Sequence, residues 1–377
     1  MLFMKYKSIV NFAKLSVLTA SIISTSALAT IVKIKTNQGD ITVNLFDQTT
    51  PKTVENFLSY VNDDSYDSSV FHRSVKDFIV QAGSYAWSMQ GEQTELQFNP
   101  ITTGDVVENE PLWSNVKGTI AMAKTGQEHS ATSGWFINTN DDNAANLDLQ
   151  ASGFTVFGLV TEGLDIVEKI NALDIYNAGS PFGEIPLDNV PEGATSIETD
   201  YLVIISDIEV IDSATNTADS LQVAENSLIY QENMDTIADG VASIQNLVTT
   251  AENNFTLAKA AQSAAAAISD EKGNTASAAV VKIEVALNKL DGLLVQAEDI
   301  LTDATTAQTN GESVLTIIDY REQIVDTYQE VLSEATTVSS QLSIAETAAK
   351  KESSGGSLSF GFILAALGLF GFRKKFN

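Results

Sequence analysis

The chain has 377 residues, with 49 acidic and 21 basic side chains and a formal net charge of −28. This length exceeds that of one ordinary domain, so we expect at least two folded units. The acidic balance argues against binding to nucleic acid or flat binding to anionic lipid, and the lack of cysteine excludes disulfides, a thiolate nucleophile and a cysteine-ligated zinc site.

Residues 1–29 have the pattern of a secretory signal peptide. Three lysines precede the apolar run LSVLTASIIS, which is followed by the small-residue site Ala27-Leu28-Ala29. A basic start, a short apolar stretch and a site of the A-x-A type together predict cleavage after Ala29 and export. A buried N-terminal helix is the alternative.

Residues 30–212 are predicted to form a β-rich domain. The segments IVKIKT and ITVNLF have alternating patterns and are separated by NQGD, which is a hairpin signal. TPKTVENFLSYV predicts a helix with Thr50 as its N-cap and Pro51 at its first position, and GLDIVEKINAL predicts a second helix. GTIAMA, GWFIN, FTVFGLV and YLVIISDIEVI predict further strands. Many strands with two helices favour a closed barrel capped by helices.

One charged residue of this domain is unexpected in its surroundings. In YDSSVFHRSVKDFIVQAG, Arg73 lies among valine, phenylalanine and isoleucine residues of two predicted strands. A guanidinium stays charged and is costly to bury without a partner. From this stretch alone, the simplest interpretation is an edge-strand or surface arginine whose aliphatic stem is packed.

Residues 213–352 are predicted to be helical. The composition changes near residue 212, after which proline is absent and alanine, glutamine, serine, threonine and acidic residues dominate. Three runs have apolar residues at steps of three and four, broken at SDEKGNT and TTAQTNGE. The runs predict three long helices in an antiparallel, coiled-coil-like bundle. An intermolecular coiled coil is the alternative. The apolar positions are Ile237, Val241, Ile244, Val248, Ala251, Phe255, Ala258, then Ile283, Leu287, Leu290, Leu294, Ala297, Leu301, Ala304, then Ile324, Tyr328, Val331, Ala335, Val338, Leu342 and Ala345.

Residues 353–377 have three successive parts: a Ser/Gly spacer, an apolar run from Leu358 to Phe372, and the basic end Arg373-Lys374-Lys375. As a helix, the apolar run would rise only about 22 Å, less than the roughly 30 Å of a hydrocarbon core. The segment resembles the bacterial GlyGly-type C-terminal sorting signals. That resemblance implies a transient membrane association through the C-terminal helix, and cleavage by a rhomboid-type membrane protease before display or release at the cell surface. A plain short membrane anchor is the alternative.

Several blocks of the β-rich domain resemble the bacterial cyclophilins, a family of peptidyl-prolyl cis/trans isomerases. The blocks are FHRSVKDFIVQAG, KGTIAMAKTGQEHSATSGWFIN and NLDLQASGFTVFGLVTEGLDIVEKI, in the family's order and spacing. The similarity covers roughly Thr30 to Asp212. It implies a mainly β fold, with a closed eight-stranded antiparallel barrel capped by two helices, and no cofactor or metal.

The resemblance also implies the site residues. Arg73 aligns with the family's catalytic arginine, and Gln81 aligns with the glutamine that binds the substrate backbone and orients that arginine. The substrate-binding positions are Phe78, Ile79, Ala123, Phe136, Leu147 and Phe154. This chemistry gives Arg73 a purpose, because a fixed cation beside an apolar slot can bind the twisted X-Pro amide more tightly than either planar isomer.

The sequence departs from the family pattern at four positions. Gly134 replaces a second substrate-contacting glutamine, and Lys124 stands where eukaryotic members have asparagine. Asn146 replaces an aromatic rim residue, and Phe154 stands where histidine or tyrosine is usual. These changes leave the arginine and the apolar residues in place but remove hydrogen bonds. We therefore expect reduced or narrowed activity and weak sensitivity to cyclosporin.

The signal-peptide pattern and the two resemblances together imply an exported prolyl isomerase that assists folding of proline-containing client polypeptides in the periplasm or at the cell surface of a Gram-negative bacterium. A catalytically weak cyclophilin-like binding or scaffold module is the alternative, favoured by Gly134. His72 and His129 are far apart in sequence and offer no triad or metal site. Asp141-Asp142-Asn143 lacks the spacing, glycine and closing glutamate of a calcium loop, so a polar turn is expected there.

Overall fold

The computed structural model describes residues 30–89, 96–194, 197–213, 221 and 223–350. The predicted signal peptide and the predicted sorting signal both lie outside these ranges. In the part of the chain that is described, no helix combines the length and the apolar character needed to span a bilayer.

The β-rich part contains one large antiparallel sheet. Within the described ranges, eleven strands pair in the order β4-β5-β9-β8-β10-β2-β1-β13-β3-β6-β7. A separate hairpin pairs β11 with β12. The strands are β1 (Ile31–Thr36), β2 (Gly39–Leu45), β3 (Ser69–Val70), β4 (Arg73–Val75), β5 (Ile79–Ala82), β6 (Tyr85–Met89), β7 (Leu96–Pro100), β8 (Thr119–Met122), β9 (Trp135–Asn138), β10 (Val156–Glu162), β11 (Asp174–Tyr176), β12 (Ile185–Leu187) and β13 (Ile204–Asp212).

The expected closed barrel of eight strands is wrong in its strand count and in its closure. The terminal strands of the large sheet, β4 and β7, do not pair with each other in the described ranges. The chain breaks its pairing at Phe71 and His72, so that β3 and β4 are separate strands of only two and three residues. Beyond β4, Ser74 N donates to Glu184 O at 2.8 Å, so the edge is satisfied by a loop carbonyl rather than by another strand of the sheet.

The two predicted helices of this part are present. Helix α1 (Pro51–Asn62) begins at the predicted proline, and α3 (Leu164–Asn171) buries Val167 and Ile170. Thr50 precedes α1, but its hydroxyl donates to Phe46 O instead of accepting a capping hydrogen bond. A short helix, α2 (Ala144–Leu147), follows a 3-10 turn over Asp141–Asn143. Both longer helices pack on one core, which includes Ile34, Phe57, Phe71, Trp135 and Phe157.

The second part is the predicted antiparallel helical bundle. Helices α4 (Ser227–Ala266), α5 (Asp270–Asn310) and α6 (Val314–Ala348) each pack on the other two. All the predicted apolar positions except Ala335 belong to or pack against their common core. The first predicted break is shorter than SDEKGNT, because the hydroxyl of Ser269 accepts from Lys272 N and begins α5 inside that segment.

Candidate active site

Three neighbouring strands place Arg73 beside two other predicted site residues. In the pairing of β4 with β5, Arg73 lies opposite Gln81, and in the pairing of β5 with β9, Gln81 lies opposite Phe136. Directly opposed residues of a sheet project from the same face. The register therefore brings the guanidinium, the amide and the aromatic ring together on one face.

The guanidinium of Arg73 is held from two sides. Its Nε donates to Glu184 Oε2 at 2.8 Å, and its Nη1 donates to Gln81 Oε1 at 3.5 Å. The Arg73 side chain is 36% exposed, because β4 is the terminal strand of the sheet. This geometry explains how a charge is accommodated between apolar strands, since one edge of the guanidinium is paired and part of it stays in contact with solvent.

The predicted apolar site residues form one cluster, separate from the main core. Ile79, Phe136, Leu147 and Phe154 are buried in it, and Phe78 and Ala123 are partly buried against it. The rings of Phe136 and Phe154 meet edge-on, with centroids 5.6 Å apart and an interplanar angle of 75°. Phe154 has the largest exposed fraction of the four buried residues, at 8%, so little of their surface is in contact with solvent. We call the six residues together the apolar slot.

The turn that carries Phe78 is fixed by two buried asparagines that the sequence analysis did not identify as site residues. Asn143 Nδ2 donates to Phe78 O at 2.6 Å, and Asn171 Nδ2 donates to Val75 O at 2.8 Å. Asp77 in this turn has a positive φ of 55°, and its N–H donates to Asn171 Oδ1. Asn143 lies in the predicted polar turn, where its amide faces the protein interior. No local sequence pattern predicts this role, because it depends on a tertiary contact.

Lys124 ties together the two loops that border the apolar slot. Its Nζ donates to Ala151 O at 2.7 Å, to Gly153 O at 2.6 Å and to Glu128 O at 3.3 Å. The same Nζ lies 5.3 Å from the ring centroid of Phe154. Burial lowers the pKa of Lys124 to about 8, against the opposing effect of the Glu128 carboxylate. The ammonium is therefore a structural clamp beside the predicted substrate-binding phenylalanine.

The space that a side chain at Gly134 would need is already occupied. A Cβ placed there would lie 2.6 Å from Ser84 Oγ and 3.5 Å from Ala123 Cβ. Ser84 thus occupies the space next to Gly134, where the family has a glutamine. The Ser84 side chain would have to move before a larger residue could fit at position 134. Asn146, at the predicted rim position, is exposed on α2.

The two histidines have different environments. His72 is only 4% exposed, and its Nδ1 has no hydrogen-bond partner among the residues that the structure describes. Its ring lies 5.0 Å from that of Tyr85. Burial lowers the pKa of His72 to about 4, helped by the nearby Arg73 charge. His129 is exposed, and its Nδ1 accepts from Asn109 N. His72 is therefore a neutral, packed side chain near neutral pH.

Comparison with known proteins bears on the family of the β-rich part. Residues 31–191 match a family described as cyclophilin type peptidyl-prolyl cis-trans isomerase/CLD. A peptidyl-prolyl cis-trans isomerase of Acinetobacter baylyi is 37% identical over 155 residues, which cover 41% of this chain and 79% of that protein. Peptidyl-prolyl cis-trans isomerase B of Escherichia coli is 35% identical over 163 residues, which cover 42% of this chain and 94% of that protein. The chain belongs to the cyclophilin family of peptidyl-prolyl cis/trans isomerases.

A solved cyclophilin from Cryptosporidium parvum is 22% identical, with a TM-score of 0.35, over 49% of this chain and 99% of that chain. The family match ends at residue 191, before α4 begins at Ser227. The cyclophilin assignment therefore concerns the β-rich part, and the helical bundle is an extension beyond it.

Proposed function

We propose that this cyclophilin catalyses cis/trans isomerisation of X-Pro bonds in polypeptide clients through Arg73. The observation that carries the proposal is the guanidinium held by Glu184 and Gln81 on the face it shares with Phe136. The barrier to rotation is about 18–20 kcal/mol, because amide resonance is lost in the twisted state. A donor fixed beside an apolar slot can hydrogen-bond the pyramidal nitrogen that only this state presents.

The first prediction concerns Arg73 itself. In the intact chain, Arg73→Ala should lower kcat/KM for isomerisation of a proline peptide about 10²-fold, because one preorganised donor is removed. A protease-coupled isomerisation assay measures this directly. Lys117→Ala is the matched control, since Lys117 also forms an exposed ion pair, with Glu168, on the same domain. Equal rates for wild type and Arg73→Ala would remove the catalytic role.

A binding or scaffold function is the second candidate, and Gly134 favours it. This residue offers no side chain that could hydrogen-bond a substrate backbone. If the intact chain bound a proline peptide in a chemical-shift titration but did not accelerate its isomerisation, binding would replace catalysis as the function.

Export and assistance to folding are the biological setting that we propose for this activity. The basic and apolar residues before Ala29 support export, and the GlyGly-like terminus supports sorting by a rhomboid-type protease to the surface of a Gram-negative cell. Mass spectrometry of the mature protein tests both ends at once. An intact Met1 would contradict the signal peptide, and a retained Phe372 would contradict cleavage. The exposed Asn146 supports weak cyclosporin sensitivity, which inhibition at low nanomolar drug would contradict.

A further inference from the structure

The helical bundle is joined to the isomerase domain next to the apolar slot. Asn226 caps α4, and its own Nδ2 donates to Asp148 O at 2.9 Å, one residue beyond Leu147 of the slot. The backbone before it also pairs with the domain, since Ser114 N donates to Ala224 O at 2.8 Å. The start of α4 is thus anchored to the β-rich part by its own main chain.

An apolar seam reinforces this junction. Leu112 of the isomerase domain is buried together with Ile229 of α4 and Val314 of α6, and Trp113 packs against the same group. The ring of Trp113 also meets that of Phe46, which belongs to the cluster of the apolar slot, at a centroid distance of 5.9 Å. Packed side chains therefore connect the bundle with the slot.

A second connection is made by a buried arginine of the bundle. Arg321 of α6 is 9% exposed, and its Nη1 and Nη2 donate to Glu128 Oε1 at 3.2 and 3.3 Å. Its Nη2 also lies 3.5 Å from Glu322 Oε1. A guanidinium this deeply buried needs a partner, and removal of Glu128 would leave Arg321 with the longer contact to the exposed Glu322.

Glu128 connects Arg321 with the apolar slot. Its main-chain carbonyl accepts from Lys124 Nζ, which also holds Ala151 O and Gly153 O and lies over the ring of Phe154. Arg321, Glu128, Lys124 and Phe154 therefore form an unbroken series of contacts from the bundle to a predicted substrate-binding residue.

A cavity separates the loops from the helices around this series. It has a volume of about 690 Å³. Its walls include Gln127 and Ser152 on the loops, and Glu232 and Asn233 on α4, with Arg321 at one side. The Arg321–Glu128 ion pair is therefore one of the contacts that connect the loops with the helices at this space.

From these contacts we propose that Arg321 is a positioning residue for the isomerase site, which makes the helical bundle a working part of that site. By holding Glu128, Arg321 fixes the loop over residues 124–131, and with it the Ala123 and Phe154 border of the apolar slot. The inference rests on the proposed isomerase function and extends it to the helical region.

The test uses the intact chain and a double-mutant cycle. Arg321→Ala should raise KM for a proline peptide about fivefold while kcat changes less than about twofold, because Arg321 shapes the binding border without touching the reacting amide. Glu128→Gln should act alike, and the double variant should be no worse than either single one. Arg321→Lys should recover part of the loss.

Hydrogen exchange and a matched control separate positioning from general destabilisation. Amides of residues 124–131 and 149–153 should exchange faster in Arg321→Ala, whereas the core of β1 and β2 should not. The control is Lys289→Ala, which removes the Lys289–Glu334 ion pair between α5 and α6 of the same bundle and should leave KM unchanged.

Three results would overturn the inference. The first is a wild-type KM with wild-type loop exchange in Arg321→Ala, and the second is strictly additive effects in the cycle. If Arg321→Ala unfolds the bundle, the double variant Arg321→Glu/Glu128→Arg, which exchanges the two charges, tests the proposal instead. The third result is that this double variant folds but its KM stays above that of the wild type. A wild-type chain no faster than Arg73→Ala would instead contradict the proposed function, while the exchange data would still report on the loop.

Discussion

At the residue scale, the burial of His72 next to Arg73 should make the stability of the protein depend on pH. The imidazole is packed against Tyr85, and its pKa is lowered from 6.5 to about 4 mainly by burial. The unfolded chain therefore binds a proton at a higher pH than the folded chain does. The stabilisation linked to neutral His72 is complete above pH 6.5 and is lost as the pH falls towards 4.

We predict that this histidine contributes a loss of about 2 kcal/mol in the free energy of unfolding between pH 7 and pH 5. Urea unfolding followed by tryptophan fluorescence measures it, since all three tryptophans lie in residues 87–135. His72→Leu should remove this part of the pH dependence, whereas His129→Leu, at an exposed position, should retain it. Parallel pH curves for wild type and His72→Leu would contradict the assignment.

The family resemblance predicts a role for Arg73, but no sequence pattern indicates its partner. The same resemblance predicts the glutamine and the apolar residues. The strand register places the arginine and the glutamine on one face with Phe136, and the apolar residues form one cluster. Glu184 lies 111 residues away from Arg73 in the chain, in a loop with no motif of its own. The fit between Gly134 and Ser84 was equally hidden, because close approach of two chain segments leaves no local pattern.

At the element scale, glycine controls the junction between β10 and α3. Gly163 precedes α3 with φ +82°, and a Cβ there would collide with the main-chain oxygen of Asp40 in β2. Gly292 provides the contrast, since it lies in exposed α5 with open space around its Cβ position. The same substitution should therefore have opposite effects at the two sites.

We predict that Gly163→Ala lowers the unfolding free energy of the isomerase domain by at least about 2 kcal/mol, because the backbone is strained and the carbonyl is displaced. Gly292→Ala should stabilise the bundle by about 0.5–1 kcal/mol, because alanine is the better helix former. Tryptophan fluorescence reports unfolding of the isomerase domain, and circular dichroism at 222 nm reports unfolding of the helical bundle. Equal small effects at both positions would contradict this account.

The sequence predicts the long helices correctly but not whether the sheet closes into a barrel, and the difference has a physical reason. The apolar steps of three and four lie within each helix, so α4, α5 and α6 could be found from local sequence. Closure of the sheet depends on what lies beyond β4, and there a carbonyl of the distant Glu184 takes the place of a strand. Phe71, at the break between β3 and β4, is packed in the main core, and local sequence does not indicate this contact.

At the scale of the whole molecule, the strong negative charge should act on clients before they reach the slot. A formal net charge of −28 produces a long-range field, which attracts cationic chains and is screened over about 10 Å at 0.1 M salt. Arg73 has Glu184 as its partner, so the site itself adds little positive charge to oppose this field.

We predict that kcat/KM for a proline peptide flanked by lysines falls about threefold when the salt concentration rises from 0.01 M to 0.1 M, because the screening length shrinks from about 30 to about 10 Å. An uncharged peptide with the same residue before proline should change little, and a glutamate-flanked peptide should improve. The isomerisation assay on the intact chain compares all three. The same decline for every peptide would point to an effect of salt on the fold, and no change for the lysine peptide would mean that local contacts at the slot dominate over the field of the molecule.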